Sequence, residues 1–347
     1  MDWNTLKTTI PIDGLVEKYE IYRRARPTLT LVVLRTVTEP TLFRNTDPER
    51  AETIKLNGNL HAQVNGEKFV SKERLTGLNL CRELDKDGDI ISPEYTYNEP
   101  TSLPKSQTSD MLTYGLAGTV TGKTFSQKSR VIEGYTYGLE SYDIMNKETH
   151  NALYESGTMT DEERVQSESL FNPVKVQPGT HFVHFITLEA GTKEMLLYVA
   201  YNILNTGRYG ARETRTGRNI KNELVGLITS SCDSCLSSGE LLRDYLKEIK
   251  TEYDRDDISS MISKYIANHK KTDWMIYHSS DFNLGGQEFP DWFKNVLGIA
   301  MRTKKEDLAI LREALVTLRK NGIDEVTDKK AKQTNELENE SDTDADK

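Results

Sequence analysis

Apolar and polar positions fall into clear order in two stretches of the chain. Thr28-Leu-Thr-Leu-Val-Val-Leu-Arg-Thr-Val37 begins as alternation and becomes continuously apolar, which predicts a central strand covered on both faces. Arg23, Arg24 and Arg26 lie just before it, and Pro27 sets its edge. His181-Phe-Val-His-Phe-Ile-Thr-Leu-Glu189 alternates and is rich in β-branched and aromatic residues, so it predicts a second strand, broken at Gly191. Met195, Leu196, Val199, Ala200, Ile203 and Leu204 then recur at helical spacing over Lys193 to Leu204, and Asn205 and Gly207 stop that helix. Leu224 to Thr229 predicts another strand. Further helices are expected at Gly239 to Tyr253, Asp256 to His269 and Lys305 to Asn321, with a shorter one near Asp291 to Leu297.

Between about Glu39 and Gly179 the pattern changes. Short strand-like pieces alternate with turns at Asn57-Gly58, Asn65-Gly66, Asp87-Gly88 and Thr121-Gly122, while Pro93, Pro100 and Pro104 break the middle. This predicts a long β-rich insertion without a compact core of its own. An early core strand, an insertion and a late strand-helix-strand unit suggest an α+β fold with a ferredoxin-like or RRM-type sheet. No internal repeat of solenoid period is present.

Composition adds three points. No run of 18 apolar residues predicts a membrane span, and the first residues, Met-Asp-Trp-Asn-Thr-Leu-Lys7, do not read as a signal peptide. Three cysteines make no disulfide framework, and a reducing cytoplasm fits best. The chain is acidic, with a formal net charge of -9, and from Asp324 onward nine acids stand against four lysines with almost no large apolar residue. That segment, taken as 323–347, reads as a disordered acidic tail. It serves as a solvating tail or, functionally, as a mimic that keeps nonspecific nucleic acid off a basic groove.

Against that acidity, Gly207-Arg-Tyr-Gly-Ala-Arg-Glu-Thr-Arg-Thr-Gly-Arg-Asn-Ile-Lys221 gathers Arg208, Arg212, Arg215, Arg218 and Lys221 around a single acid, Glu213. Guanidiniums present forked donors suited to phosphate oxygens, Tyr209 offers a ring for a base to stack on, and three glycines allow close backbone approach. The pattern also fits a solvated loop whose arginines meet surface acids. Ala117-Gly-Thr-Val-Thr-Gly-Lys-Thr124 matches a relaxed phosphate loop. Its strand-like flank predicts instead a β-hairpin turning near Gly122 and carrying Lys123, Lys128 and Arg130. Cys232-Asp-Ser-Cys235 is one CxxC where a structural zinc site wants four ligands; two buried or half-buried thiols are expected. His181 and His184 point to opposite faces of their strand, which argues against shared metal ligation. Asp47, before Pro48, has the chemistry to hold a metal or activate a nucleophile, but reads better as a turn residue. No metal or other cofactor is expected.

Three stretches carry a resemblance: Leu34 to Arg44, Gly115 to Gly138, and Phe182 to Gly226 with its core Asn205-Thr-Gly-Arg-Tyr-Gly-Ala-Arg212. Through them the chain resembles the major backbone subunit of CRISPR surveillance complexes of the RAMP superfamily, most closely the type I-D version. The resemblance covers nearly all of the chain except the tail. It implies a hand-shaped molecule: an RRM-like palm over 1–38 and 180–322, a finger insertion over 39–110, and a thumb hairpin with return segment over 111–179. It implies copies stacked along one crRNA as a helical oligomer, whose bases pair with a target DNA strand, or RNA, in antiviral defence. It also implies partner subunits: a large subunit, small subunits and one that binds the crRNA end. Carried over by position, Arg208, Tyr209, Arg212, Arg215, Arg218 and Lys221 face the guide backbone. Lys123, Lys128 and Arg130 sit on the thumb, and Arg35 and Arg44 at the strand-to-finger junction. The expected role is non-enzymatic. The alternative is a metal-dependent nuclease cutting single-stranded target at regular intervals, with Asp47 as the residue to test.

Overall fold

The run Leu29–Leu34 is apolar without interruption because both faces of its strand are covered. Leu29, Leu31 and Val33 enter one buried cluster, and Val32 and Leu34 enter another on the opposite side. In the computed structural model, residues 1–21, 23, 25–44, 50–93, 95, 108–120, 123–142, 150–151, 170–171, 174–246, 250 and 252–344 are described. For 117–120, 123–125, 150–151, 170–171, 213 and 326–344 the description is of backbone alone.

In chain order the elements are α1 (Trp3–Thr9), β1 (Thr28–Val37), β2 (Thr53–Leu56), β3 (Asn59–Val64), α2 (Glu67–Leu84), α3 (Ser109–Tyr114), β4 (Leu116–Val120), β5 (Lys123–Gln127), β6 (Val131–Glu133), β7 (Thr136–Ser141), β8 (His150–Asn151), β9 (Leu170–Phe171) and β10 (His181–Glu189). There follow α4 (Lys193–Asn205), β11 (Ile220–Ser230), α5 (Ser238–Tyr245), α6 (Arg255–His269), β12 (Met275–His278), β13 (Gln287–Glu288), α7 (Asp291–Ala300) and α8 (Lys305–Asp344).

One mixed sheet organises the molecule in the order β13-β12-β11-β1-β10-β7-β3-β2, with β6 also paired to β10. β1 is central and antiparallel to both neighbours: Thr28 faces Glu189, and Thr36 faces His181 on one side and Lys221 on the other. A bulge in β11 opposite Val32 and Val33 shifts its register. The helices α1, α2, α3, α4, α7 and α8 cover one face, and α5 and α6 the other. The mixed α+β class expected from the sequence is therefore present, as are the strands β1 and β10 and the helix α4, at or within a residue of their expected bounds. Thr192 caps α4 by accepting from the Met195 amide. Asp254 and Asp257 form a capping box that fixes the start of α6.

Four expectations need correction. The stretch expected to be only β-rich contains α2, an 18-residue helix whose Val70, Leu78, Leu80 and Cys81 are core residues. The helix expected at Gly239 to Tyr253 ends at Tyr245. The short strands β12 and β13 were not foreseen. The segment expected to be disordered from Asp324 continues α8 as helix to Asp344. Helical hydrogen bonding is local and needs no apolar stripe, and Lys329-Lys-Ala-Lys-Gln333 are good helix formers. Among the described residues no helix is long and apolar enough to cross a membrane.

Candidate nucleic-acid interface

The basic loop joins α4 to β11 at the end of the sheet where β1 finishes. Its frame is made of buried polar groups. Arg35, fully buried at the end of β1, donates to Glu73 of α2 at 2.6 Å and to Asn222 Oδ1 of β11 at 2.9 Å. Its guanidinium carbon lies 4.3 Å from the centre of the Phe69 ring. Tyr209, also fully buried, donates its hydroxyl to Glu73 at 3.0 Å and accepts from Asn222 Nδ2 at 2.7 Å. Its ring packs at 5.3 Å against Phe69, beside Phe43 and Phe182. Asn219 closes the loop by donating to the Tyr209 and Thr214 carbonyls and accepting from the Tyr209 amide. Burial, and then the Arg35 charge, hold the neighbouring His184 imidazole well below the usual histidine range, so it stays neutral.

Two expected contacts are thereby reassigned. Tyr209 cannot stack on a base, because its ring is part of an aromatic cluster. Arg35 cannot reach a phosphate, because it is the partner of Glu73 inside the protein. Breaking such a buried pair leaves an uncompensated charge and costs about 3–5 kcal/mol. Gly210, at φ +77, approaches the Leu42 carbonyl rather than a ligand: a Cβ there would lie 2.5 Å from that oxygen.

What the frame presents outward is a groove of about 540 Å3 between α2 and the loop. Lys72, Arg208, Arg215 and Arg218 line it, with Thr76, Asn79 and Asn205, and among the described residues the lining holds no acid. Arg208 Nε donates to the Gly217 carbonyl at 3.0 Å, which braces its guanidinium. Arg215 Nε is buried without a hydrogen-bond partner among the described residues. Burial and the nearby Arg215 charge lower the Lys72 pKa. A groove that packs like charges together is electrostatically suited to an anion. Lys72 was missed from the sequence because it stands on α2. Its signal was present only as a lysine one residue before the buried Glu73.

The other expected site residues do not join this groove. Arg212 is exposed in a short 3-10 turn beside it. Lys221 is exposed and pairs with Glu223 at 3.0 Å, and Glu223 also pairs with Arg255 of α6, so this pair belongs to the opposite face of the sheet. Arg44 is exposed beyond Phe43. Asp47 lies outside the described residues, as does the side chain of Lys123.

The hairpin expected near Gly122 is formed by β4 and β5, paired from Leu116↔Gln127 to Val120↔Lys123. A strand, not a helix, follows the turn, so the phosphate-loop geometry is absent. Lys128 is exposed at its base. Arg130 is buried, donating to the Ala190 and Glu20 carbonyls, and so is not a phosphate contact. The hairpin base adjoins Glu189, whose amide donates to the Arg130 carbonyl. The basic loop meets the other end of β1, but the first leg of the hairpin starts against α2, the groove's helix wall, where the Gly115 carbonyl accepts from Arg74 at 2.9 Å.

Cys232 and Cys235 are exposed rather than half-buried. Asp273 anchors β11 at Ser230 and Ser231, and beyond them Ser234 is buried against Thr30 while both thiols face out. His181 pairs with Glu140 at 2.8 Å while His184 faces Arg35, on opposite faces as expected. Among the described residues no group of three or more His, Cys, Asp or Glu could hold a metal ion.

No curated protein matches the chain. Among solved structures it is similar to the crystal structure of Thermofilum pendens Csc2, at 14% identity and a TM-score of 0.53, covering 88% of this chain and 93% of that one. A CRISPR RNA-guided surveillance complex in a pre-nicking state contains a chain matched at 8% identity and a TM-score of 0.49, over 79% of this chain and 99% of that one. The sequence model described as "Csc2 Crispr" matches residues 31–338. The chain therefore belongs to the Csc2 CRISPR family.

Proposed function

We propose that this protein is a crRNA-binding backbone subunit of a CRISPR RNA-guided surveillance complex, of the type I-D kind. It grips the guide's phosphates, assembles in several copies along the guide, and leaves spacer bases free to pair with a target DNA strand. The observation that carries the reading is the groove of Lys72, Arg208, Arg215 and Arg218, with no acid among its described lining residues, on a chain of net charge -9. Bulk charge repels a polyanion, so attraction must be local. The groove offers guanidiniums and an ammonium but no aromatic ring, which suits backbone rather than base recognition. Sequence is then read by base pairing.

The topology supports an RRM-like palm. β1, α2, β6, β10, α4 and β11 follow one another as strand-helix-strand-strand-helix-strand, and lie side by side as β11-β1-β10-β6, the ferredoxin-like arrangement. In this reading α2 belongs to the palm and the finger insertion is shorter than 39–110. The β4–β5 hairpin is the thumb.

The test is to co-express the chain with a CRISPR array and partner subunits, digest with nuclease, and extract what is protected. A uniform RNA bearing spacer sequence in a large particle is expected. A nucleic-acid-free monomer that stays free when array RNA is supplied would refute the proposal.

A further inference from the structure

The base of the β4–β5 hairpin is built more heavily than a surface loop requires. On its second leg, Arg130 is 2% exposed and has no hydrogen-bonded carboxylate partner among the described residues. Its guanidinium donates to the Ala190 carbonyl at 3.1 Å and to the Glu20 carbonyl, and lies 4.8 Å from the centre of the Tyr19 ring. Its own amide donates to the Thr113 carbonyl at 2.8 Å. Tyr19 in turn accepts from Gln127 Nε2, in the last residue of β5. Arg23 donates to the Lys128 and Ser129 carbonyls and pairs with Glu189 of β10.

The first leg is held as firmly. Gly115 turns at φ +76, and a Cβ there would lie 2.4 Å from the Gln127 carbonyl oxygen, so the two legs cross without room for a side chain. Its carbonyl accepts from Arg74 of α2 at 2.9 Å. Arg74 also pairs with Oδ2 of the buried Asp110, to which Tyr95 donates as well. Both legs are thus tied by arginines, one to a palm helix and one to the segment before β1.

A guanidinium buried without a hydrogen-bonded carboxylate is costly to desolvate, and carbonyl bonds, one ring and the nearby charge of Glu189 offset that only in part. An isolated two-stranded hairpin is at best marginally stable. Such a mount is explained if the direction of the hairpin matters. We propose that Arg130, Arg23 and Tyr19 are positioning residues that fix the angle at which the hairpin leaves the body, and hence the interval at which successive copies meet a bound guide. This rests on the reading of the chain as a guide-binding backbone subunit. It also gives Arg130 a role that its position near Lys123 and Lys128 in the sequence concealed.

The experiment probes the guide chemically in the complete assembled complex, comparing wild type with Arg130→Met and Arg23→Gln. Wild type is expected to show reactive nucleotides at a regular interval. Both variants should retain guide RNA through the intact groove but lose that regularity. Amide hydrogen exchange should rise in 116–127 and stay unchanged at Tyr209 and Asn219. A regular interval that survives in the variants, with hairpin exchange unchanged, overturns the positioning role alone. No regular interval in wild type overturns the backbone-subunit reading and this proposal with it. If Arg130→Met fails to fold, Arg23→Gln decides, since Arg23 is nearer the surface and carries the same prediction.

Discussion

Replacing Lys72 and Arg215 together by glutamine removes two of the four groove cations while leaving the Arg35–Glu73–Tyr209 frame untouched. Each phosphate contact to a single strand contributes about 0.7 to the slope of log affinity against log salt. Four contacts give a slope of about −2.8, so binding weakens about 50-fold from about 50 to about 200 mM salt. The double variant keeps two contacts, a slope of about −1.4 and a fall of about 7-fold. Contacts made elsewhere on the same strand add equally to both proteins, so the slope difference, about 1.4, is the quantity to measure. Fluorescence anisotropy with a labelled single-stranded RNA across that salt range reads it directly. Thermal melting supplies the control. Neither side chain has a carboxylate partner among the described residues, and Lys72 and Arg215 repel each other, so the variant should melt no lower than wild type. Superimposable slopes with unchanged affinity would show that the groove is not a phosphate seat.

Tyr209→Phe keeps the ring and removes the hydroxyl that serves Glu73 and Asn222. Urea unfolding should show a loss of about 1–3 kcal/mol with RNA affinity unchanged, and an affinity loss without destabilisation would restore a stacking role. Burial, helped by Glu73 and Glu67, pushes the Glu133 carboxyl from 4.5 up to about 7. Between those values the folded chain keeps a proton that the unfolded chain has lost, so this group's contribution to stability declines as pH rises and is lowest above 7. Glu133→Gln should therefore melt higher than wild type at pH 8 and equal to it near pH 4.5, whereas a constant difference across pH would refute the burial argument. A thiol reagent should modify Cys232 and Cys235 in the native chain and reach the buried Cys81 only on unfolding. Three thiols reacting natively would contradict the packing of α2 against α4.

The central strands were legible because two-sided burial leaves an uninterrupted apolar run, and nothing outside β1 is needed to see it. α2 was hidden for the opposite reason. Two positions of its inward face are Glu73 and Gly77, a charge and a gap that break the apolar period. Glu73 is inward because Arg35, 38 residues earlier, neutralises it. Gly77 is there because Asn202 and Tyr198 of α4 leave no room, with a Cβ meeting both at 2.4 Å. Neither reason can be seen in a local window. The same holds for the basic loop. Its charge was plain in the sequence, but which residues face out depends on Phe43, Phe69 and Phe182, drawn from three distant segments, which claim the Tyr209 ring. Missing α2 also meant missing Lys72, so the groove was half legible: the loop wall could be read and the helix wall could not.

The acidic end of the chain now has a place relative to that groove. α8 begins after α7, whose Ala300 carbonyl accepts from Asn205 at the groove end of the molecule. By Glu325 the helix has reached Ile21, near the hairpin base, where the Ile21 amide donates to Glu325. Twenty residues of helix at 1.5 Å each cover about 30 Å, in keeping with the length of β1. The acids from Asp324 onward therefore start beside Ile21 and not among the residues that line the groove, and at physiological salt the Debye length is only ~8 Å. An acidic mimic that covers its own groove is not supported by this arrangement. A chain ending at Gly322 should bind single-stranded RNA within about twofold of the full chain at ~0.15 M salt, and bind faster only at low salt, where screening reaches ~30 Å. A tenfold gain at physiological salt would mean that the tail does reach the basic groove, of its own copy or of a neighbour.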